Sequence, residues 1–329
     1  MTTLVTGASG FVGAAVVRAL LAEGEHVRAL VRASSDRTNL EGLPVEIAIG
    51  DITDRSSLDP AIHGCRFVFH VAADYRLWAP DPRPMFAANV DGSLNVVESA
   101  AEHVIERLVY TSSVAVLGIH ADRTPADETS PVSIADMIGP YKRSKYVAEE
   151  AVKRRAAELG LSLVVVNPST PIGPGDVRPT PTGRIIVDAA TGRMPAFVDT
   201  GLNLVHVDDV ACGHLLALER GVAGERYILG GDDLTLERIL ALVAKHCGRR
   251  PPRLRLPRAS VYPVAVISEI IARITGKEPR VTLDGLRMAR KHMYFSSRKA
   301  NRELGYRWRE PEEAIVDALD WFRQNGYLG

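Results

Sequence analysis

Tyr141 and Lys145 stand four residues apart in the run Tyr141-Lys142-Arg143-Ser144-Lys145. On a helix that spacing is one turn, so both side chains face the same way. A tyrosine with an ordinary pKa near 10 is a poor base at neutral pH. An ammonium held beside it favours the phenolate and brings proton exchange into the working range. Such a pair is common on exposed helices, so the bare pattern carries little weight. Here it follows a β-rich segment ending in Thr111-Ser112-Ser113, in a chain that opens with a glycine loop.

That loop, Gly7-Ala8-Ser9-Gly10-Phe11-Val12-Gly13, lies between a short β-rich run and a helical pattern. Gly7 permits a tight turn, Gly10 keeps a Cβ out of the path of a phosphate, and Gly13 lets helix and strand pack. The helix start adds free N–H groups and the positive end of its dipole, which together suit a pyrophosphate. The second β-rich run ends Val31-Arg32-Ala33-Ser34-Ser35, without the carboxylate that would accept from a ribose 2'-hydroxyl. The Arg32 guanidinium can instead fork onto a 2'-phosphate, with help from Arg37. NADP(H) is therefore the favoured cofactor, with NAD(H) the alternative.

The elements around these residues alternate. β-rich runs at 3–6, 27–31, 45–49, 67–71, 108–111 and 163–166 are separated by helical patterns at 11–22, 85–103 and 141–158. This is the order of right-handed βαβ units and predicts an α/β chain, a Rossmann-type doubly wound parallel sheet. Pro168, Pro171, Pro174, Pro179 and Pro181 end the regularity. A helix at 183–191 and a strand and helix over 205–219 follow. Residues 1–168 and about 204–222 are assigned to the nucleotide-binding domain. About 169–203 and 223–329 are assigned mainly to a smaller, discontinuous α+β substrate domain and C-terminal helices.

Composition narrows the function. Of 329 residues, 40 are Lys or Arg and 40 are Asp or Glu, so no global field recruits nucleic acid and any electrostatic work is local. Cys65, Cys212 and Cys247 form no CxxC pair and are expected to be buried, inert thiols of a reducing compartment. His206-x-Asp208 lacks a third ligand nearby, so no metal is expected and a structural role is assigned. The first residues run straight into the glycine loop with no room for a secretory signal, and a cytoplasmic location is expected. The longest apolar run, 261–274, is interrupted by Pro263, Ser268, Glu269 and Arg273 and reads as an amphipathic helix packed on its own domain. With the arginines before it, peripheral membrane contact is the other reading of that helix.

The GxxGxxG spacing after Thr6 resembles the short-chain dehydrogenase/reductase superfamily, extended type. The resemblance continues through Asp51-Ile52, His70-Val71-Ala72-Ala73, Asn89-Val90-Asp91-Gly92 and Asn167-Pro168-Ser169-Thr170. It implies cofactor contacts from Gly7, Ser9, Gly10, Phe11, Val12, Gly13, Arg32, Asp51, Ile52, Ala72, Ala73, Tyr141, Lys145 and Pro168, with Asp51 near the adenine and Pro168 near the nicotinamide carboxamide. It also implies a catalytic Ser113 on the substrate oxygen, proton exchange by Tyr141, and a Lys145 that holds the nicotinamide ribose. The resemblance also implies a homodimer through helices of the nucleotide-binding domain.

Extended members include epimerases, dehydratases and reductases. Val114-Ala115-Val116 supplies no acid after Ser113, which argues against dehydration. Ser169-Thr170-Pro171-Ile172-Gly173-Pro174 departs from the Asn-x-Tyr-Gly-Pro element of nucleotide-sugar epimerases. Residues 27–32 and Thr111-Ser112-Ser113 are similar to dihydroflavonol reductases. Over almost the whole chain the sequence resembles the hopanoid-associated sugar epimerase group, through 70–78, 167–174 and 179–186. That resemblance implies hydride transfer at a hydroxyl or carbonyl carbon of a sugar, polyol or hopanoid-linked small molecule. A dihydroflavonol-reductase-like carbonyl reductase is the alternative, and a non-catalytic cofactor-binding regulator the third class. Asp74, Tyr75, Arg76 and Trp78 are expected at the substrate mouth, since they follow the fourth strand at the carboxyl edge of the sheet. Ser113 and Thr170 are expected to join them.

Overall fold

The computed structural model describes residues 2–276, 279 and 281–328. Its first half is built of β1 (Thr2–Thr6), α1 (Phe11–Ala22), β2 (His26–Val31), β3 (Glu46–Ile49), α2 (Arg55–Ile62) and β4 (Cys65–His70). Then come α3 (Arg83–Phe86), α4 (Gly92–Glu102), β5 (Arg107–Thr111), α5 (Gly139–Glu158) and β6 (Leu163–Pro168). The chain continues through β7 (Thr170–Ile172), α6 (Pro181–Ala190), β8 (Ala196–Phe197), β9 (Gly201–His206), α7 (Val207–Arg220) and β10 (Arg226–Leu229). Next are β11 (Asp232–Thr235), α8 (Leu236–His246), β12 (Leu254–Arg255), α9 (Arg258–Thr275), α10 (Leu283–Met288), β13 (His292–Met293), α11 (Arg298–Leu304) and α12 (Pro311–Gln324).

The large sheet has seven strands in the order β10-β6-β5-β4-β1-β2-β3, and every neighbouring pair is parallel. Successive side chains of a strand point to opposite faces. Leu4, Val68, Leu108 and Val165 accordingly enter one buried cluster, with Val96 and Val97 of α4. Val5, Phe69, Val109 and Val164 enter the other, with Val16 and Val17 of α1 and Val210 of α7. Helices cover both faces, as a parallel sheet requires. The order reverses between β1 and β4, and ligands of such sheets bind at that crevice, beyond the carboxyl ends of the strands. A smaller sheet forms on β9, which pairs with β7, β11 and β13, over a core that includes Ile172, Leu204, Ile239 and Phe322.

Several expectations change at this level. β10 adds to the large sheet beside β6, in register from Arg226 opposite Val165 to Leu229 opposite Pro168. The nucleotide-binding sheet thus takes in a strand beyond residue 222, whereas β9 belongs to the small sheet. β6 runs on to Pro168, which needs no N–H at a strand end. The helix expected over 85–103 contains a π-helical turn at Ala87–Asp91. Cys65 is buried, but Cys212 is exposed and Cys247 half-buried, because the latter two lie at the outer side and end of α7 and α8. Burial still pushes all three thiols up, so they stay protonated.

The helix over 261–274 forms as α9, but its large apolar residues do not pack on the domain. Ala265 and Ala272 are buried, while Val264, Ile267, Ile270, Ile271 and Ile274 are each more than half exposed. The helical period shows that a helix is two-faced, not which face meets the core. No helix among the described residues is long and apolar enough to cross a membrane.

Candidate active site

β1 ends in Gly7, whose φ of +67° is the left-handed region that glycine occupies without strain. A Cβ there would lie 2.7 Å from the Ala72 backbone, so the turn sits directly against the end of β4. A Cβ on Gly13 would lie 2.1 Å from the Gly7 carbonyl oxygen, which makes glycine a packing requirement of α1 on the loop. Gly10 caps α1 without a side-chain hydrogen bond, so the first-turn N–H groups remain open toward the crevice. A Cβ at Gly10 would meet nothing closer than the Gly7 carbonyl oxygen at 3.2 Å. Ser9, Phe11 and Val12 belong to this same turn, and Asn39 ties it down by donating to the Ser9 and Gly175 carbonyls at 3.3 and 2.9 Å.

Arg32 is exposed just past β2, and among the described residues neither it nor Arg37 meets a carboxylate. Asp51 holds a turn by accepting from the Thr53 N–H and hydroxyl at 2.9 and 2.8 Å. Ile52 is buried against Gly92, where a Cβ would come within 2.8 Å of it. Ala72 and Ala73 follow β4, and the Ala72 N–H donates to Thr6 Oγ1 at 3.2 Å. His70, at the end of β4, is wedged between the Thr6 and Ser93 hydroxyls at 2.7 and 2.9 Å. Burial lowers its pKa to about 3, so the ring is neutral and structural.

Ser113 lies just beyond β5 and starts a short turn by accepting from the Ala115 N–H at 3.1 Å. Tyr141 lies in the first turn of α5, with Ser113 near enough to its hydroxyl to bias its ionisation. Burial pushes the Tyr141 phenol upward, Ser113 opposes this, and the Asp74 carboxylate adds to it. Lys145, one turn on, is buried and donates to the Thr111 carbonyl at 2.8 Å and the Tyr110 hydroxyl at 3.4 Å. Burial lowers its pKa to about 8, against the pull of Glu149. The expected influence of the ammonium on the phenol is not what dominates: burial keeps Tyr141 protonated.

A supporting layer was not visible in the motifs. Asn167 donates from one amide nitrogen to the Ser113 carbonyl at 3.0 Å and to Glu149 at 2.9 Å. Glu149 is buried and pairs with Arg226 at 3.0 Å. Asn89, within the π-helical turn, accepts from the Asp74 N–H at 2.7 Å and donates to the Asp74 carbonyl and to Ser144 of α5, both at 2.9 Å. It therefore fixes the segment after β4 against the catalytic helix, and π-helical turns often mark such places.

The residues expected at the substrate mouth are divided. Asp74 is held by Asn89 and pairs with Arg76. Tyr75 is exposed at its edge, and partial burial pushes its phenol up, with Asp176 adding to this and Arg178 and Arg184 opposing it. Gly175 accepts from Asn39 at 2.9 Å, so the proline-containing stretch read as a domain boundary reaches back to the cofactor loop. Trp78 is half-buried. Thr170 begins β7, and Pro168 is buried at the end of β6. His206 caps α7 by accepting from the Asp208 N–H at 3.0 Å and meets Asp317 at 3.2 Å.

The crevice suits a dinucleotide. Among the described residues, Ser112 Oγ, Asn167 Oδ1 and Ser169 Oγ are buried without a partner at the carboxyl ends of β5 and β6, and polar atoms so placed call for one. Together with the open N–H groups at α1, they fit a nicotinamide dinucleotide lying across the reversal point.

Comparison with known proteins agrees. Residues 3–230 match the model of the NAD dependent epimerase/dehydratase family. A Synechocystis sp. protein, provisionally named a dihydroflavonol 4-reductase, is 44% identical over 98% of this chain and 95% of its own. The protein named sterol demethylase protein B of Methylococcus capsulatus is 37% identical over the full length of both. Among solved structures, gox2253 superposes with a TM-score of 0.90 at 53% identity, covering 100% of this chain and 99% of its own. The chain belongs to the NAD dependent epimerase/dehydratase family, the extended short-chain dehydrogenases/reductases, and is an NAD(P)-dependent enzyme of that kind.

Proposed function

We propose that this enzyme is an NADP(H)-dependent oxidoreductase that reduces a ketone of an apolar small molecule, with Ser113, Tyr141 and Lys145 as its catalytic residues. The observation that carries this reading is the convergence at the carboxyl end of β5 of Ser113, the half-buried Tyr141 beside it and the buried Lys145 held on the Thr111 carbonyl, with the Tyr141 phenol pushed up by desolvation. Ketone reduction needs an acid at the carbonyl oxygen, and a phenol whose pKa is pushed up by burial is held in the acid form at neutral pH.

Ser113 Oγ donates to the substrate oxygen and fixes it beside the Tyr141 hydroxyl. Tyr141 gives its proton to that oxygen as charge develops there. Lys145, anchored on the Thr111 carbonyl, stabilises the phenolate left behind and holds the ribose hydroxyls. Asn167 steadies Ser113 through its backbone carbonyl. The glycine loop with Ser9, Phe11 and Val12 cradles the pyrophosphate, and Asp51 and Ile52 border the adenine. Arg32, with Arg37, takes the 2'-phosphate, and Ala72, Ala73 and Pro168 line the path of the nicotinamide. When bound, the cofactor supplies the hydride.

The relatives' names support reduction: besides the Synechocystis protein, one from Stigmatella aurantiaca, 32% identical over the whole chain, is a ketoreductase of a farnesylated quinoline oxide. That name and sterol demethylase protein B both point to apolar ring substrates. The second reading, epimerisation of a sugar or polyol linked to hopanoid synthesis, draws on the shared catalytic set and on a nucleoside-diphosphate-sugar epimerase of Pseudomonas aeruginosa at 25% identity. Native mass spectrometry of the purified protein separates the two. A reductase exchanges NADPH freely and consumes it with a panel of cyclic ketones, read as lost absorbance. A cofactor that survives dilution and purification, with no net consumption, is the result expected of an epimerase and contradicts the reductase reading.

A further inference from the structure

Helix α9 is built with its apolar side outward. At 100° per residue, Ala265 and Ala272 define one line along the helix, and these are its buried positions. Val264, Ile267, Ile271 and Ile274 recur at intervals of three, four and three on the far side, with Val266 and Ile270 beside them, all exposed. The polar positions Ser268 and Glu269 flank the buried line instead, and Glu269 turns inward to accept from the Leu283 N–H at 2.8 Å. A helix on a water-facing surface carries the opposite arrangement. Among the described residues nothing covers this outer half.

The stretch of sequence that carries it is strongly basic. Residues 249–291 contain eleven Lys and Arg against three Asp and Glu, a surplus of eight in a chain whose totals are equal. Among the described residues, Arg250 and Arg253, just ahead of α9, meet no carboxylate. An isologous contact with a second copy would set this positive region against itself. An outward apolar stripe within an arginine- and lysine-rich segment instead matches an anionic bilayer, where the stripe enters the boundary between headgroups and acyl chains while the cations meet the phosphates.

We propose that α9 is a membrane-docking helix that seats this enzyme peripherally on anionic lipid surfaces. The helix packs on α10, and α10 sits over the start of the catalytic helix. Asp284 of α10 lies against Gly139, where a Cβ would come within 2.9 Å of its carboxylate. Met288 and Lys291 share a cavity of about 60 Å³ with Ile138 and Lys142. Docking through α9 therefore brings the end of α5 that carries Tyr141 toward the bilayer, the side from which an apolar substrate dissolved in lipid would arrive. That consequence rests on the function proposed above, whereas the docking does not.

The test is co-sedimentation of the full chain with vesicles of phosphatidylcholine alone and of phosphatidylcholine mixed with phosphatidylglycerol, compared with Ile267→Glu/Ile271→Glu. Binding to the mixed vesicles is expected, weakened about tenfold or more on phosphatidylcholine alone or in high salt. The double variant should lose it. NADPH titration of the variant, expected unchanged, verifies that it is folded and needs no knowledge of the reaction. Absence of sedimentation with the mixed vesicles would overturn the proposal, as would binding that the variant retains. A solution assembly of the wild-type chain that the variant dissolves would overturn it too, by assigning the stripe to a second copy.

Discussion

Glu149 is the residue through which the supporting layer acts on the catalytic lysine, and Glu149→Gln tests it while keeping the side chain's size. Its carboxylate raises the Lys145 pKa, which burial has lowered to about 8. Unit charges one helical turn apart, ~6 Å, interact by about 3 kcal/mol at an effective dielectric of ~20. Arg226 shares the carboxylate, so a net effect of about one pKa unit is expected. Removing the charge lets the folded Lys145 pKa fall, and the ammonium is then lost at lower pH. The alkaline limb of the pH–rate profile should move about one unit toward acid, with the rate on its acid side little changed. Arg226 is left without its buried partner, which costs about 3 kcal/mol of stability in urea unfolding. A folded variant whose alkaline limb stays in place would refute the reasoning, because Lys145 would then not be the group that titrates there or Glu149 would not act on it.

Arg32→Asp should lower NADPH affinity about 10- to 100-fold and favour NADH, as loss of a charge-assisted hydrogen bond predicts; unchanged binding in titration would make Arg32 an ordinary surface charge. Asn89→Leu strands the Asp74 backbone groups and Ser144, at about 1–3 kcal/mol for each buried group left unpaired, so both the urea midpoint and kcat should fall. Stability equal to wild type would contradict that account. Gly13→Ala pushes a Cβ into the Gly7 carbonyl and should abolish NADPH binding in titration, whereas retained affinity would mean that the loop can shift to admit it.

The parallel sheet, the glycine loop and the Tyr141–Lys145 pair were legible because each is written locally, in strand alternation, a three-glycine turn and a one-turn helical spacing. The supporting roles of Glu149, Asn167 and Asn89 were not, although Asn167 and Asn89 stood in quoted motifs. Their roles depend on partners from other elements, Arg226 for Glu149, Ser113 for Asn167, and Asp74 and Ser144 for Asn89. Periodicity reports nothing about such contacts. Tyr141 shows a different gap: the motif places a lysine one turn away, yet the dehydrated surroundings, assembled from several strands and helices, decide that the phenol stays protonated. The return of the stretch around Gly175 to Asn39 was hidden because proline reads as an end of regular structure and says nothing of where the loop goes. α9 was read correctly as a two-faced helix and placed the wrong way round, since burying large apolar residues is the usual outcome and this helix buries two alanines instead.

The central claim is that Tyr141 transfers the proton while other residues hold the cofactor. It is tested most directly by Tyr141→Phe, measured for both NADPH binding by titration and ketone reduction by NADPH consumption. The account predicts affinity close to that of wild type and turnover lower by about 10²- to 10⁴-fold. Turnover that survives the loss of the hydroxyl would contradict it.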